Sequence, residues 1–598
     1  MINPRRVRPM LHKNDFLLDT ATNVWVPREG VREFRYQDGD ESRLLAKISG
    51  CTDRSTYSQE FYPYLSWSQE YHLSPLRGNI LAAIDEKLRP GSRVLELGAG
   101  CGAITRALGE KGCDVDAVEG SMERAVIAAA RCSDLPNVRV YCTNFNRMDL
   151  GVGAYDIVTL IGVLEYAALF IDHPQPFNAA LLRASDCLTK EGFLFIAIEN
   201  QLGLKYFNGM REDHVGFAFY GIQGMYQSGR KTAETFTKKG LTGLLTRAGL
   251  PEQQFFYPYP DYKLPTAVLA EGAFADDRLS AFQIVSHCKS RDYSAVHTPL
   301  FYEPSVLRTL TQAGVADHFA NSFAVVASRI PLSTPPWVAQ IFANRRKPEF
   351  CVQTTIQNAQ GVLRVTKRAL SARDDNGGRT AALVDHSVMA DEAFLEGRLL
   401  SAELAETLYL PTIDCLPELR RLLLQWLDFL KANADNDQSL DGSFYDAIPG
   451  NLMLVGGALK YFDAEWRVQG RIPMLLPFFR GIVSTFGGVT DEVWLSKIPH
   501  SSLHDLCLDI LSRGGVTCTK REISNCIELD AQVHESIDPK VTRLQYARSL
   551  ARVYLGDLRW SRFRRSVKAF IGSGRRLVRQ IPIVGDALSS LLRAVAKR

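Results

Sequence analysis

Residues 94–102, Val94-Leu95-Glu96-Leu97-Gly98-Ala99-Gly100-Cys101-Gly102, decide the fold of the first half of this 598-residue chain. An apolar run of strand length carries an acid near its end, and three glycines then alternate with small residues. A helical pattern follows at once in Ala103-Ile104-Thr105-Arg106-Ala107-Leu108. This reads as a buried strand, a tight turn and a helix N-terminus, with glycines that leave room for a ligand against backbone amides. The G-x-G-x-G spacing differs from the G-x-G-x-x-G dinucleotide fingerprint. A second strand, Val115-Asp116-Ala117-Val118, ends in Glu119, whose carboxylate is placed to take two ribose hydroxyls.

From 90 to 200 strands and helices alternate, which predicts a parallel sheet covered on both faces. Val138–Tyr141 leads to Asn144-Phe145, and Tyr155–Ile161 to the turn Val163-Leu164-Glu165-Tyr166. A helix around Leu181 then precedes the strand Phe193–Asn200. On the glycine turn, Glu119 and this run of five strands, residues 75–270 resemble class I S-adenosylmethionine (SAM) methyltransferases, although Tyr166 stands where many relatives carry His. The resemblance implies an α/β, Rossmann-like, seven-stranded sheet with SAM as cofactor. Glu96, Gly98, Gly100 and Gly102 would form the SAM turn and Glu119 would hold the ribose. Asn144 and Phe145 would flank adenine, and Arg77 would meet the methionine carboxylate. The alternative is a glycine turn in another doubly wound sheet, such as an NAD-binding one.

Methyl transfer is an in-line displacement at an already activated carbon, so the protein must align the reactants and exclude water. A hydroxyl acceptor also needs a base, whereas a phosphate acceptor does not. Glu199, Asp213 and His214 lie beyond the last motif strand, and His173 follows the fourth; each is also readable as an ordinary polar residue. Residues 1–74 form an aromatic-rich lid segment, and Phe255–Tyr262 reads either as an aromatic wall for a sugar or as sheet packing.

Residues 271–335 lose the strand–helix rhythm and read as a connector ending in Pro331, Pro335 and Pro336. An α+β domain is expected over 336–480. It opens with a hairpin over 350–370 that turns at Asn358-Ala359-Gln360-Gly361, followed by a helical run over 391–400 and a helix over 419–430. Within it Asp446, four residues, Asn451, a short hairpin and Asp463 have the spacing of a kinase catalytic loop. In that reading Asp446 accepts the hydroxyl proton, and Asn451 and Asp463 hold magnesium. Lys367 pairs ATP phosphates with Glu392 or Glu396 as its partner. The ending Asp463-Ala464-Glu465-Trp466 resembles small-molecule kinases of the choline kinase and aminoglycoside phosphotransferase type. Phe444-Tyr445 departs from their pattern before the Asp, and no glycine-rich loop precedes it. A degenerate, inactive domain is the competing reading.

Residues 481–558 read as helical. Of the net charge of +4, the tail 559–598 carries +10, leaving −6 on the rest. Trp560, Phe563, Val567 and Phe570 recur at helical spacing among Arg562, Arg564, Arg565 and Lys568, a basic amphipathic pattern suited to an anionic membrane surface. A partner-binding helix and a nucleic-acid tail are the alternatives. Twelve scattered cysteines without a Cys-x-x-Cys pair argue for reduced thiols and against a zinc cluster. With no 18-residue apolar run and no signal peptide, a cytoplasmic protein, peripheral on the inner face of the cytoplasmic membrane, is expected. This architecture resembles bacterial methyltransferase–kinase fusions that cap O-antigen polysaccharides. The expected partners are therefore a glycan, the membrane and glycosyltransferases of the same pathway, and not DNA. An RNA methyltransferase using the tail to grip phosphates is a further alternative.

Overall fold

The computed structural model describes residues 15–29, 39–147, 151–226, 231–276, 278–293, 299–370, 379–381, 383–388, 391–489, 491–539 and 542–558. The tail 559–598 lies outside the described residues. Two compact units emerge. The first runs to 379 and takes in 388–396, and the second holds 380–387, 397–537 and the described residues from 542 on.

The first unit opens with a hairpin, β1 (Phe16–Asp19) and β2 (Val24–Pro27). Five strands then run parallel: β3 (Arg93–Leu97), β4 (Asp114–Glu119), β5 (Val138–Cys142), β6 (Tyr155–Ile161) and β7 (Leu188–Glu199). After them come β8 (Glu252–Tyr259), β9 (Ala267–Ala270), β10 (Ser322–Ser328), β11 (Trp337–Ala343), β12 (Val352–Ala359) and β13 (Val362–Ala369). With a last short strand, Asp391–Ala393, they form one sheet in the order β1-β2-β5-β4-β3-β6-β7-β10-β8-β9-β11-β12-β13 and then Asp391–Ala393. Successive residues of β3 feed opposite layers: Val94 packs with Val115 and Ile157, and Leu95 and Leu97 pack with Val118 and Leu160. Burial on both faces is why the parallel strands read as near-continuous apolar runs.

The expected seven-stranded sheet is present as the stretch from β5 to β8, but it is only the middle of a larger mixed sheet. Its sixth member in space, β10, comes from the segment expected to be a connector. All seven residues of β10 are buried, and it runs antiparallel between β7 and β8, with Val325 opposite both Ile196 and Phe255. The hairpin expected over 350–370 is found as β12 and β13, turning at Gln360 (φ +54°) and Gly361 (φ +87°). It extends this same sheet through β11 and β9, so the expected boundary at 335/336 falls within the sheet.

The run 391–400 is not one helix. Asp391–Ala393 pairs with β13, where Arg364 Nε donates to Asp391 at 3.2 Å, and the helix begins only at Leu400. Backbone pairing with the neighbouring strand, a tertiary contact, here overrides the local helical periodicity. Lys367, Glu392 and Glu396 therefore belong to the first unit, whereas Asp446, Asn451 and Asp463 belong to the second.

In the second unit the long helix Thr412–Asn433 buries Leu419, Leu422, Leu423, Trp426, Leu427 and Leu430 on one face. Leu452–Val455 and Ala458–Tyr461 form a hairpin beside Arg398–Leu399. Helices Leu475–Phe486, Asp491–Lys497, Leu503–Arg513, Lys520–Ile537 and Arg543–Leu555 follow in the same unit.

Candidate functional site

The order of the chain reverses at β3: β4 and β5 follow on one side, β6 and β7 on the other. In an open α/β sheet such a switch point leaves a crevice beyond the strand ends, where ligands bind. A cavity of about 710 Å³ lies there. It is lined by Glu96, Gly98, Gly100, Glu119, Asn144, Phe145 and Arg77 among the expected residues, and Gly102 sits just behind as the first residue before the helix Ala103–Glu110.

Gly98, Gly100 and Gly102 all take left-handed backbone angles. Gly98 and Gly102 are closed in by packing, since an added Cβ would lie 2.4 Å from Val163 Cγ2 or 2.8 Å from Ala128 Cα. Gly100 differs: a Cβ there meets nothing within 4 Å and would project into open space. Glu119 is held at the cavity wall by two backbone donors, Gly100 N–H to Oε2 at 2.8 Å and Ser121 N–H to Oε1 at 2.9 Å. An ionised carboxylate has about four acceptor positions, so about two remain for a vicinal diol. Glu96 is buried and accepts from Thr105 at 2.6 Å; burial pushes its carboxyl up to about 8. A cationic ligand group beside it would favour the ionised form. Arg77 donates to the Lys263 carbonyl at 2.9 Å and lies 4.5 Å over the Tyr71 ring. An open glycine, a diol acceptor and an acid near a buried arginine fit the adenosyl and amino-acid ends of SAM.

Gly100→Val tests this fit. Its strain is on the order of 1–2 kcal/mol, so the thermal transition should shift by only a few degrees. Calorimetry should nevertheless find SAM binding abolished, because the branched side chain fills the ligand space.

The far end of the cavity is a buried charged cluster. His214 Nε2 lies 3.3 Å from Glu199 Oε2, and its Nδ1 lies 3.1 Å from the Tyr166 hydroxyl. Lys263 contacts Glu199 Oε1 and reaches Asp213 at 3.1 Å, and Lys205 reaches Asp213 at 2.7 Å. Glu165 accepts from Tyr262 at 3.4 Å. Burial opposes ionisation of Glu199, but Lys263 and His214 outweigh it and hold the carboxyl well below the usual range. Burial likewise lowers His214, yet Glu199 outweighs it and raises the imidazole to about 9. Burial, helped by the Glu199 charge, pushes Glu165 up to about 8. Near neutral pH, His214 and Glu165 therefore each hold a proton. Both shifts act in the same direction on stability. His214 stabilisation is complete below about 6.5 and is lost as pH rises through about 9, while Glu165 begins to cost above about 4.5 and costs fully above about 8. The first unit should thus melt progressively lower between pH 7 and 9.5, and Glu165→Gln should flatten that slope in calorimetric scans.

The expected bases Glu199 and His214 are brought together with Asp213, whereas His173 is exposed and outside the cavity lining. Of the Phe255–Tyr262 stretch, Phe255, Phe256, Tyr257 and Tyr259 pack in the core, and only Tyr262 lines the cavity. The aromatic segment before residue 75 contributes Trp67 and Tyr71. Lys263 and Glu165 escaped sequence reasoning as functional residues, although both lie in stretches whose turns were visible.

In the second unit each Asp446 oxygen accepts one hydrogen bond: Arg480 donates to Oδ1 at 2.9 Å and Asn451 to Oδ2 at 2.8 Å. Arg480 also pairs with Asp530 at 2.7 Å and lies 3.8 Å over the Tyr445 ring. Asp463 takes a left-handed φ of +58°.

Residues 95–194 match the family model described as a methyltransferase domain. No curated protein matches the chain in sequence. Among solved structures it is similar to a SAM-dependent methyltransferase of Thermotoga maritima, described as a possible histamine N-methyltransferase. Identity is 16%, with 42% of this chain and 89% of that one covered and a TM-score of 0.25. It is also similar to phosphoethanolamine N-methyltransferase 2 of Haemonchus contortus, in complex with SAM. Here identity is 16%, coverage 49% and 59%, and the TM-score 0.27. The family match runs from β3 into β7, strands whose ends carry the glycine turn and Glu119, and on that basis the first unit contains a methyltransferase domain.

Proposed function

We propose that this enzyme methylates the terminus of a bacterial surface polysaccharide of O-antigen type and so caps the chain. The observation that supports this best is the aromatic mouth of the cavity. Trp67 is 41% exposed, with its ring 4.6 Å from Tyr293 and 5.8 Å from Tyr71. A sugar presents an apolar C–H face and a polar rim; the rings suit the face, and Lys263, Asp213 and His214 at the cavity wall suit the rim. Bound SAM supplies an electrophilic methyl group. The chain aligns the acceptor hydroxyl with it: Glu119 and the glycine turn fix one end, and the aromatic rings exclude water at the other.

Labelled SAM, a synthetic oligosaccharide and the full chain test the reading. Methyl incorporation is expected, with Trp67→Ala raising KM about tenfold or more while kcat falls little, because a stacking platform binds ground and transition states alike. Incorporation into RNA but not into the oligosaccharide would overturn it.

Coupling to phosphorylation by the second unit, with ATP and magnesium at Asp446, Asn451 and Asp463, is the fuller form of this proposal. Lys367 belongs to the first unit and not to the unit of the other three, which favours the other form, an inactive scaffold. Asp463→Ala separates them: loss of magnesium-dependent ATP turnover together with loss of glycan methylation supports coupling, and ATP-independent methylation supports the scaffold. The basic tail is proposed to hold the enzyme on the inner face of the cytoplasmic membrane, beside glycosyltransferases of the same pathway. Removing 559–598 should release it from anionic vesicles in flotation, each basic residue near the surface contributing about 1 kcal/mol.

A further inference from the structure

We propose that Glu165, Glu199 and His214 form a binding site for one divalent cation of the Mn²⁺ type at the floor of the cavity. Each side chain offers one ligand atom, and the three atoms lie within 4.8 Å of one another, close enough for one ion to reach all three. Glu165 and Glu199 are fully buried, and His214 opens to the cavity.

Two observations separate this cluster from an ordinary group of buried acids. Glu165 Oε2 is buried and has no hydrogen-bond partner, an arrangement that is costly for a carboxyl unless a ligand satisfies it. His214 is also oriented as a metal ligand would be: the Tyr166 hydroxyl at 3.1 Å from Nδ1 leaves Nε2, beside Glu199, for the ion. The donor set of two carboxylates and one imidazole suits Mn²⁺ better than a hard all-oxygen ion or a thiophilic one.

The charges facing the site accommodate the ion. Lys263 occupies the other Glu199 oxygen, Oε1, and is shared with Asp213, which Lys205 also neutralises. Glu212 is engaged by the backbone N–H groups of His214 and Val215. This deepens the proposed function and rests on it for the ion's role: a bound cation would hold the acceptor hydroxyl as a further ligand and so position it at the cavity floor.

The test is a MnCl₂ titration of the full chain, without SAM or glycan, with free Mn²⁺ read by electron paramagnetic resonance. Wild type should bind one ion more than Glu165→Gln or His214→Gln, and Tyr166→Phe should weaken that ion about 10–100-fold. Asp463→Ala identifies any ion held by the second unit. Thermal unfolding and SAM affinity report whether each variant is folded. Should neither ligand variant fold, electron spin echo modulation on wild type decides: nitrogen coupling to bound Mn²⁺ is expected, and its absence overturns the proposal. Equal stoichiometry and affinity in wild type and both folded variants also overturns it. A chain that binds Mn²⁺ through these residues yet methylates no oligosaccharide would sink the polysaccharide reading and support the cation site.

Discussion

Replacing Glu119 with Ala should raise the dissociation constant for SAM by at least about a hundredfold. Hydrogen bonds to a charged acceptor contribute about 1.5–3 kcal/mol each, so losing two to the ribose costs about 3–6 kcal/mol. The substitution acts a second time through the protein. Gly100 and Ser121 lose the acceptor for their N–H groups, and the glycine turn is no longer tied to the end of β4. Glu119→Gln keeps acceptor capacity without the charge and should fall between the two. Titration calorimetry checks the series, and an alanine variant within threefold of wild type would remove Glu119 from the binding site.

Lys263→Met should cost the first unit about 3–5 kcal/mol, the usual consequence of removing one partner from a buried ion pair. The ammonium touches Glu199, which is fully buried, and Asp213, whose side chain is 4% exposed. A methionine of similar length fills the space but leaves both carboxylates short of a cation. Melting of the full chain should begin about 6–20 °C lower, given 2–4 °C per kcal/mol for units of this size. Lowering the pH should narrow the gap, because Glu199, no longer held down by Lys263, can take a proton. A shift under 2 °C at pH 7 would mean that His214 and Lys205 alone compensate the cluster.

Legibility of the chain followed the range of the interactions involved. Val94–Gly102 and Glu119 were readable because a buried parallel strand, a glycine turn and a strand-end acid are all local patterns. The cluster behind them was half readable. Glu199, Asp213 and His214 stand out as polar residues after a strand, but the pairing of Glu199 and Asp213 with Lys263 spans 64 and 50 positions of sequence, and that of Glu165 with Tyr262 spans 97. Strand β10 was missed because Ser322–Ser328 is a short apolar run in a stretch with no rhythm, and its place between β7 and β8 is set entirely by distant partners. The β12–β13 hairpin is legible from its turn, but its junction to β9 through β11 is not. A turn specifies its own two strands and not the sheet they join.

That hairpin also decides where the polypeptide can be cut. Ending a fragment at 335 would strip β11 from β9 and bare the backbone of the apolar strand Ala267–Ala270. Such an unprotected border templates pairing with neighbouring molecules, so the fragment should precipitate or form higher-order species during expression. In the intact chain the outermost long strand is β13, studded with Arg364, Lys367 and Arg368, and charge on a border strand discourages such association. The lysine that sequence alone would hand to ATP lies instead on this border strand, and a separable methyltransferase module should extend to about residue 396.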